Sequence, residues 1–188
     1  MKRAILMTMT LVLVAAATVS ARAAEPPTTA QVTVLLAGDS EANSISIWLS
    51  PDGLNYVIDS AAALEVGGDV CTHPEGQPNE LICAAASIAG FEVNAGAGED
   101  AVIVSRAIPV PVTLRGGPGH DRLVGGADSD KLLGGPGDDM LVGRAGKDSL
   151  LGGPGEDRLV GGPDYDVLRG GSGEDLLRPG SGDNYVIQ

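Results

Sequence analysis

Residues 116–187 repeat a nine-residue unit eight times, and a fixed short period admits few folds besides a stack of near-identical coils. The units read GGPGHDRLV, GGADSDKLL, GGPGDDMLV, GRAGKDSLL, GGPGEDRLV, GGPDYDVLR, GGSGEDLLR and PGSGDNYVI. Position one holds Gly116, Gly125, Gly134, Gly143, Gly152, Gly161 and Gly170, with Pro179 ending the column. Position six holds Asp121, Asp130, Asp139, Asp148, Asp157, Asp166 and Asp175, then Asn184. Position eight holds Leu123, Leu132, Leu141, Leu150, Leu159, Leu168 and Leu177, then Val186. One apolar residue and one carboxylate recurring on a common period are the signature of a solenoid.

The unit resembles G-G-x-G-x-D-x-U-x, with U large and apolar, of the repeats-in-toxin (hemolysin-type) calcium-binding nonapeptide family. Eight tandem copies make the resemblance specific where one would not. It implies a right-handed parallel β-roll, an all-β fold, with calcium between stacked turns and each interior Asp shared by the sites above and below. Carried onto this chain, the implied metal ligands are the seven Asp residues together with Gly116, Gly119, Gly134, Gly137, Gly152, Gly155, Gly170 and Gly173.

The residue chemistry runs the same way. Glycines at positions one, two and four allow positive φ and close backbone approach, and the three residues that follow suffice for one short strand. A turn and a strand per unit make a coil of two units. With position eight inward, positions seven and nine face out, so the leucines form a thin core between two parallel sheets. Calcium is a hard cation that takes about six to eight oxygens from carboxylates and carbonyls. Glycine-rich turns expose carbonyls, and position six supplies charge. The same Asp side chains could instead bond their own turn backbone without metal, but carboxylates stacked about 5 Å apart repel unless neutralised.

Two units per coil divide the turns between two edges. The first edge carries Asp121, Asp139, Asp157 and Asp175, and each of its units keeps glycine at positions one, two and four. The second carries Asp130, Asp148, Asp166 and Asn184, with Asp128 and Asp164 at position four, Arg144 at position two, and Pro179 opening the last unit. Asp tolerates positive φ better than most residues, so the turns of Asp128 and Asp164 are expected to form. Arg144 and Asn184 remove freedom and charge, so the second edge is expected to bind more weakly.

Lys2 and Arg3, an apolar run from Ala4 to Val19 and the Ala21-Arg22-Ala23 site read as a secretory signal peptide over residues 1–23 rather than a membrane anchor. Its removal would take the formal charge from −13 to −16. No cysteine lies near the cleavage site and the C-terminus carries no membrane tail, so a secreted, extracellular protein is expected. The acidic balance gives no electrostatic footprint for nucleic acid. With few aromatics and a thin core, the chain should be expanded without cations, coupling metal binding to folding.

Residues 24–115 read as an irregular N-terminal β cap with degenerate solenoid turns. Residues 24–30 are a Pro/Thr linker. Residues 45–50 alternate, Pro51-Asp52-Gly53 turns, and residues 54–58 alternate less cleanly, which fits a hairpin or two short solenoid strands. Trp48, the single tryptophan, fits a core or cap position. Residues 95–103, AGAGEDAVI, form a degenerate unit. Residues 104–115 then make one enlarged turn ending in a strand at Thr113-Leu114-Arg115. One continuous solenoid with a cap is expected rather than two independent domains. Cys71 and Cys83 read as a disulfide in an exported chain; a redox pair, or a metal site with His73, fits less well.

Enzyme motifs are sparse. There is no H-E-x-x-H, G-x-S-x-G or P-loop. His120 sits at the variable position five, and Glu65, Asp69, Glu75 and Glu80 could pair for glycoside chemistry only if the fold brought them together. Three readings follow: a calcium-binding structural or interaction module with no enzymatic activity, a small polysaccharide-acting enzyme on a solenoid flank, and an adhesin or matrix protein. The last draws on an outward apolar stripe at position nine, Val124, Leu133, Val142, Leu151, Val160 and Ile187. An extracellular protein or polysaccharide is the partner class they imply.

Overall fold

The computed structural model of the chain describes residues 32–37, 40–60 and 71–188, the first six by their backbone course only. The expected leader, the linker at 24–30, and Glu65 and Asp69 lie outside the described residues. Among the described residues, regular structure is sixteen strands and one short 3-10 turn, Ala85–Ser87, and no helix is long and apolar enough to cross a membrane.

The strands form two sheets that face each other as a β-roll. Val32–Ala37, Ile88–Asn94, Val112–Arg115, Lys131–Leu133, Ser149–Pro154, Val167–Ser172 and Tyr185–Ile187 make an all-parallel sheet in that order. Opposite it, Leu176–Gly180, Arg158–Gly162, Met140–Val142, Arg122–Val124, Ala101–Val104 and Ser44–Leu49 also run parallel. Partners in the array are eighteen residues apart, as Leu141 with Leu159, so two units complete one coil. The strand at Val112–Arg115 ends the enlarged turn as its sequence indicates, with Leu114 paired to Leu132.

Position eight supplies the core. Leu123, Leu132, Leu141, Leu150, Leu159 and Leu168 are all buried, continuing upward through Leu114, Val102, Val93 and Ile45. Leu177, in the outermost strand of its sheet, is only partly buried, and Val186, in the outermost strand of the other, is exposed. A leucine in such a column contributes on the order of 2–5 kcal/mol relative to alanine. Position nine is less exposed than a solvent face would be. Val124 is buried and the next residues of that column are half-buried, with Leu151 exposed.

The cap grows out of the second sheet. Ser44–Leu49 pairs parallel with Ala101–Val104 on one side and antiparallel with Asn55–Ser60 on the other, so it is both a solenoid strand and half of a hairpin. Glu80–Ala84 and Cys71–Thr72 extend that antiparallel edge, and Cys71 lies opposite Cys83 in a disulfide. This bond rules out a metal site built on free thiols. His73 Nδ1 instead hydrogen-bonds the Glu80 carbonyl at 2.9 Å. Tyr56 and Phe91 meet edge-to-face across the core, ring centres 5.2 Å apart, a pair worth roughly 0.5–1.5 kcal/mol beyond its buried area. Trp48 is half-buried on the outward side of the hairpin, outside the buried core.

Candidate metal centre

The first edge is regular to the level of single hydrogen bonds. Gly117 N–H donates to the Gly134 carbonyl (2.9 Å) and Gly119 N–H to the Pro136 carbonyl (2.9 Å); Gly135 and Gly137 repeat this toward Gly152 and Pro154 at 3.0 and 2.8 Å. Positions two and four take positive φ throughout, as Gly135 (123°) and Gly137 (135°) illustrate. A Cβ on Gly135 would collide with the Gly117 carbonyl oxygen, and one on Gly137 with that of Gly119. At position one the demand differs. A Cβ on Gly116, Gly134, Gly152 or Gly170 would occupy the place of the Asp Oδ2 in its own unit.

The carboxylates form a second ladder inside the turns. Asp121 N–H donates to Asp139 Oδ1, Asp139 N–H to Asp157 Oδ1 (both 2.8 Å) and Asp157 N–H to Asp175 Oδ1 (3.0 Å). Each Oδ1 is thus committed to the turn above, and Oδ2 is what remains. The Oδ2 atoms of Asp100, Asp121, Asp139, Asp148, Asp157, Asp166 and Asp175 are buried with no hydrogen-bond partner. Asp100 through Asp166 are no more than 3 % exposed. An unpaired buried charge of this kind is costly, and the effect shows in the acid strengths. Burial first, then the neighbouring carboxylates, pushes Asp139 and Asp148 up to about 7, and burial raises Asp121, Asp157 and Asp166.

These features fit a hard divalent cation. The unsatisfied groups are carboxylate oxygens, the turns bring carbonyl oxygens beside them, and among the described residues both cysteines are tied up in a disulfide. Among the described residues no three His, Cys, Asp or Glu side chains converge as a cluster, so a cation here would draw much of its shell from backbone carbonyls. Gly119, Gly137, Gly155 and Gly173 are where such carbonyls stack.

The second edge departs from this scheme at its top. Asp164 takes positive φ (79°), as expected of its turn, but Asp128 does not, and neither does Gly126. The expectation for Asp128 is therefore corrected: freed from the nonapeptide form, Gly126 N–H turns inward and donates to Asp130 Oδ2 at 2.7 Å. Asp130 Oδ1 accepts from Val112 N–H at 2.9 Å, so both oxygens are satisfied. Burial raises Asp130 only to about 6, with backbone hydrogen bonds and Arg144 opposing the rise. Arg144 itself adopts φ 86°. Lower down, Asp148 and Asp166 resemble the first edge, their Oδ1 atoms accepting from Asp130 and Asp148 N–H at 2.8 and 2.9 Å.

Two ligand-like positions escaped the candidate set. Asp100 stacks directly on the first edge, its N–H donating to Asp121 Oδ1 at 2.9 Å, with Gly96 and Gly98 bonded to Gly116 and Pro118 in the regular pattern. Asp121 therefore does not begin that edge. Above Asp100 stands Asn43, whose N–H donates to Asp100 Oδ1 (2.6 Å) and whose amide NH2 donates to the Glu41 and Ala95 carbonyls at 2.7 and 3.0 Å. The spacing of Asn43 and Ile45 matches positions six and eight, a signal present in the sequence. Asn184 mirrors it at the opposite end, accepting from Asp166 N–H at 2.7 Å and donating to the Gly180 and Gly182 carbonyls at 3.5 and 3.3 Å. A neutral amide thus ends the first column above Asp100 and the second below Asp166, while the first column runs down to the carboxylate of Asp175. His120 serves its own stack, accepting from Asp138 N–H at 2.9 Å. Glu75 is exposed and Glu80 half-buried in the cap, both remote in sequence from the array.

The description of the RTX calcium-binding nonapeptide repeat (4 copies) matches residues 115–150 and again 151–186. The array is similar to RTX calcium-binding repeats over residues 115–186. No curated protein and no solved structure matches the chain. The match stops short of Asp100, so the carboxylate ladder continues structurally beyond the matched repeats.

Proposed function

We propose that this is an exported protein whose RTX array takes calcium between stacked turns and completes its fold on binding, serving as a non-enzymatic structural or interaction module. The column of buried, unpartnered Asp Oδ2 atoms carries this reading. Seven carboxylates are in place and among the described residues their Oδ2 atoms have no hydrogen-bond partner, so the calcium-free roll is held together against its own charge. The ligands in this reading are Asp100, Asp121, Asp139, Asp157 and Asp175 on the first edge and Asp148 and Asp166 on the second, with carbonyls of the glycine turns. Cap and array act as one folded unit, because both sheets run through the boundary near residue 115. The disulfide suits an oxidising compartment, and the half-buried apolar columns on the outer faces suit an extracellular protein or polysaccharide partner.

Circular dichroism of the purified protein should gain β signal as calcium rises through roughly 0.1–1 mM, the range of extracellular calcium modules. Magnesium should substitute poorly, because it demands a smaller, near-octahedral shell. A chain equally folded in chelator, with no calorimetric response to calcium, would remove the reading.

A further inference from the structure

At the junction of cap and array, the second edge is closed by a side chain. Residues 101–103 stack on residues 122–124, which aligns Val104 with Gly125, the position-one residue of the next turn. Arg144 lies one turn further along the same edge, and its guanidinium reaches back across the gap. Its Nη1 amino group donates to the carbonyls of both Val104 and Gly125, the latter at 2.9 Å. A positive group shared by the carbonyls of successive turns is the arrangement that a bound ion would otherwise supply.

The carboxylates of this gap are adjusted to match. Thr113 pairs with Lys131, so Val112 stands where the turn above would carry its own Asp. That leaves Asp130 without a carboxylate above it, and among the position-six Asp residues of the array it alone has no unpartnered Oδ2. Within the stack itself, the gap pairs the single position-six carboxylate of Asp130 with the guanidinium of Arg144, while Asp128, Arg106 and Arg122 add charge at its margin. The backbone of Arg144 is held in the left-handed region (φ 86°), where a non-glycine residue persists only if its surroundings over-determine it.

We infer that Arg144 is a built-in cation that closes the cap-to-array junction of the second edge without metal, so that this junction stays formed when the other gaps have lost calcium. The inference rests on the reading that calcium fills those gaps. It makes the cap and the first coils a metal-independent template on which the rest of the roll assembles.

Residue-resolved amide hydrogen exchange of the full chain tests it, in chelator and in calcium, with Arg144→Gly and Arg144→Lys beside the wild type. In chelator the wild-type amides of Val112, Gly126 and Asp130 should exchange at least ~10-fold more slowly than those of Asp139 and Asp157, which report the metal gaps. Arg144→Gly should abolish that difference although glycine suits the backbone there, and Arg144→Lys should keep part of it. Calcium titration should show no fewer ions bound to Arg144→Gly than to the wild type. Junction amides that open together with Asp139 in wild-type protein, or that are unaffected by Arg144→Gly, would overturn the inference while leaving calcium binding intact. Protection at Asp139 and Asp157 that is the same in chelator as in calcium would instead overturn the calcium reading, and the Arg144→Gly comparison would still decide the role of the arginine.

Discussion

The two edges of the roll share a period and a strand register, yet they handle charge in different ways. On the first edge five carboxylates, from Asp100 to Asp175, stand in register, each with an unpartnered Oδ2, over glycines at positive φ. On the second, Asp130 is satisfied internally, Arg144 brings its own cation, Asn184 ends the column with an amide, and only Asp148 and Asp166 keep the open arrangement. The difference teaches that a repeat fixes where a ligand group sits but not whether it is free to bind. That depends on which N–H groups the local backbone turns toward it, and a change at position two or four redirects them.

The largest contrast should come from matched glycine substitutions. Gly135→Ala on the first edge sets a Cβ against the Gly117 carbonyl at φ 123°, and should destabilise the calcium-bound protein by at least ~2 kcal/mol through backbone strain and overpacking. Gly126→Ala at the equivalent place on the second edge meets its nearest atom, the Ile108 carbonyl oxygen, at 3.1 Å without a positive φ, and should cost about 1 kcal/mol or less. Thermal melts in calcium check the pair. Equal losses would mean that both turns share one conformation in solution.

Much of this was legible in the sequence because the period itself carries it. Leucine at position eight and glycine at positions one, two and four leave little choice of coil, and the strands at 122–124, 131–133 and 140–142 follow from the spacing. The hairpin at 44–60 was legible from alternation and a Pro-Asp-Gly turn, though not its double role as a solenoid strand. What stayed hidden depends on neighbours eighteen or more residues away. Nothing in GGADSDKLL says that Gly126 N–H would satisfy Asp130, since that follows from the irregular turn at 105–111 lying above it. Nor does GRAGKDSLL show that the guanidinium of Arg144 would reach Val104. Asp100 was visible in its degenerate unit, but its register on Asp121 required the length of the intervening turn to be resolved.

A smaller effect lies in pH. Asp139 and Asp148 have folded values near 7, above the ordinary carboxylate value of 3.8. The calcium-free folded state therefore holds protons that the unfolded chain releases, so this contribution to stability is fully present below about pH 4 and is lost as pH rises through about 7. In calcium-free buffer the melting temperature should fall between pH 4.5 and 7.5. Calcium affinity should rise over the same interval, because ion and proton compete for the same oxygens. Asp130, near 6, should complete its share of the change earlier. A calcium-free melting temperature that climbs with pH would contradict the burial of these groups.

Counting the calcium bound to three proteins by isothermal titration tests the central claim most directly: wild type, Asp139→Asn and Asp130→Asn. Asparagine keeps the Oδ1 acceptor and converts the second oxygen to an amide, as nature has done at Asn43 and Asn184. If the unpartnered Oδ2 atoms hold the ions, Asp139→Asn should lose at least one equivalent while Asp130→Asn binds as many as the wild type. Equal losses from the two variants, or a larger loss at Asp130, would contradict the account.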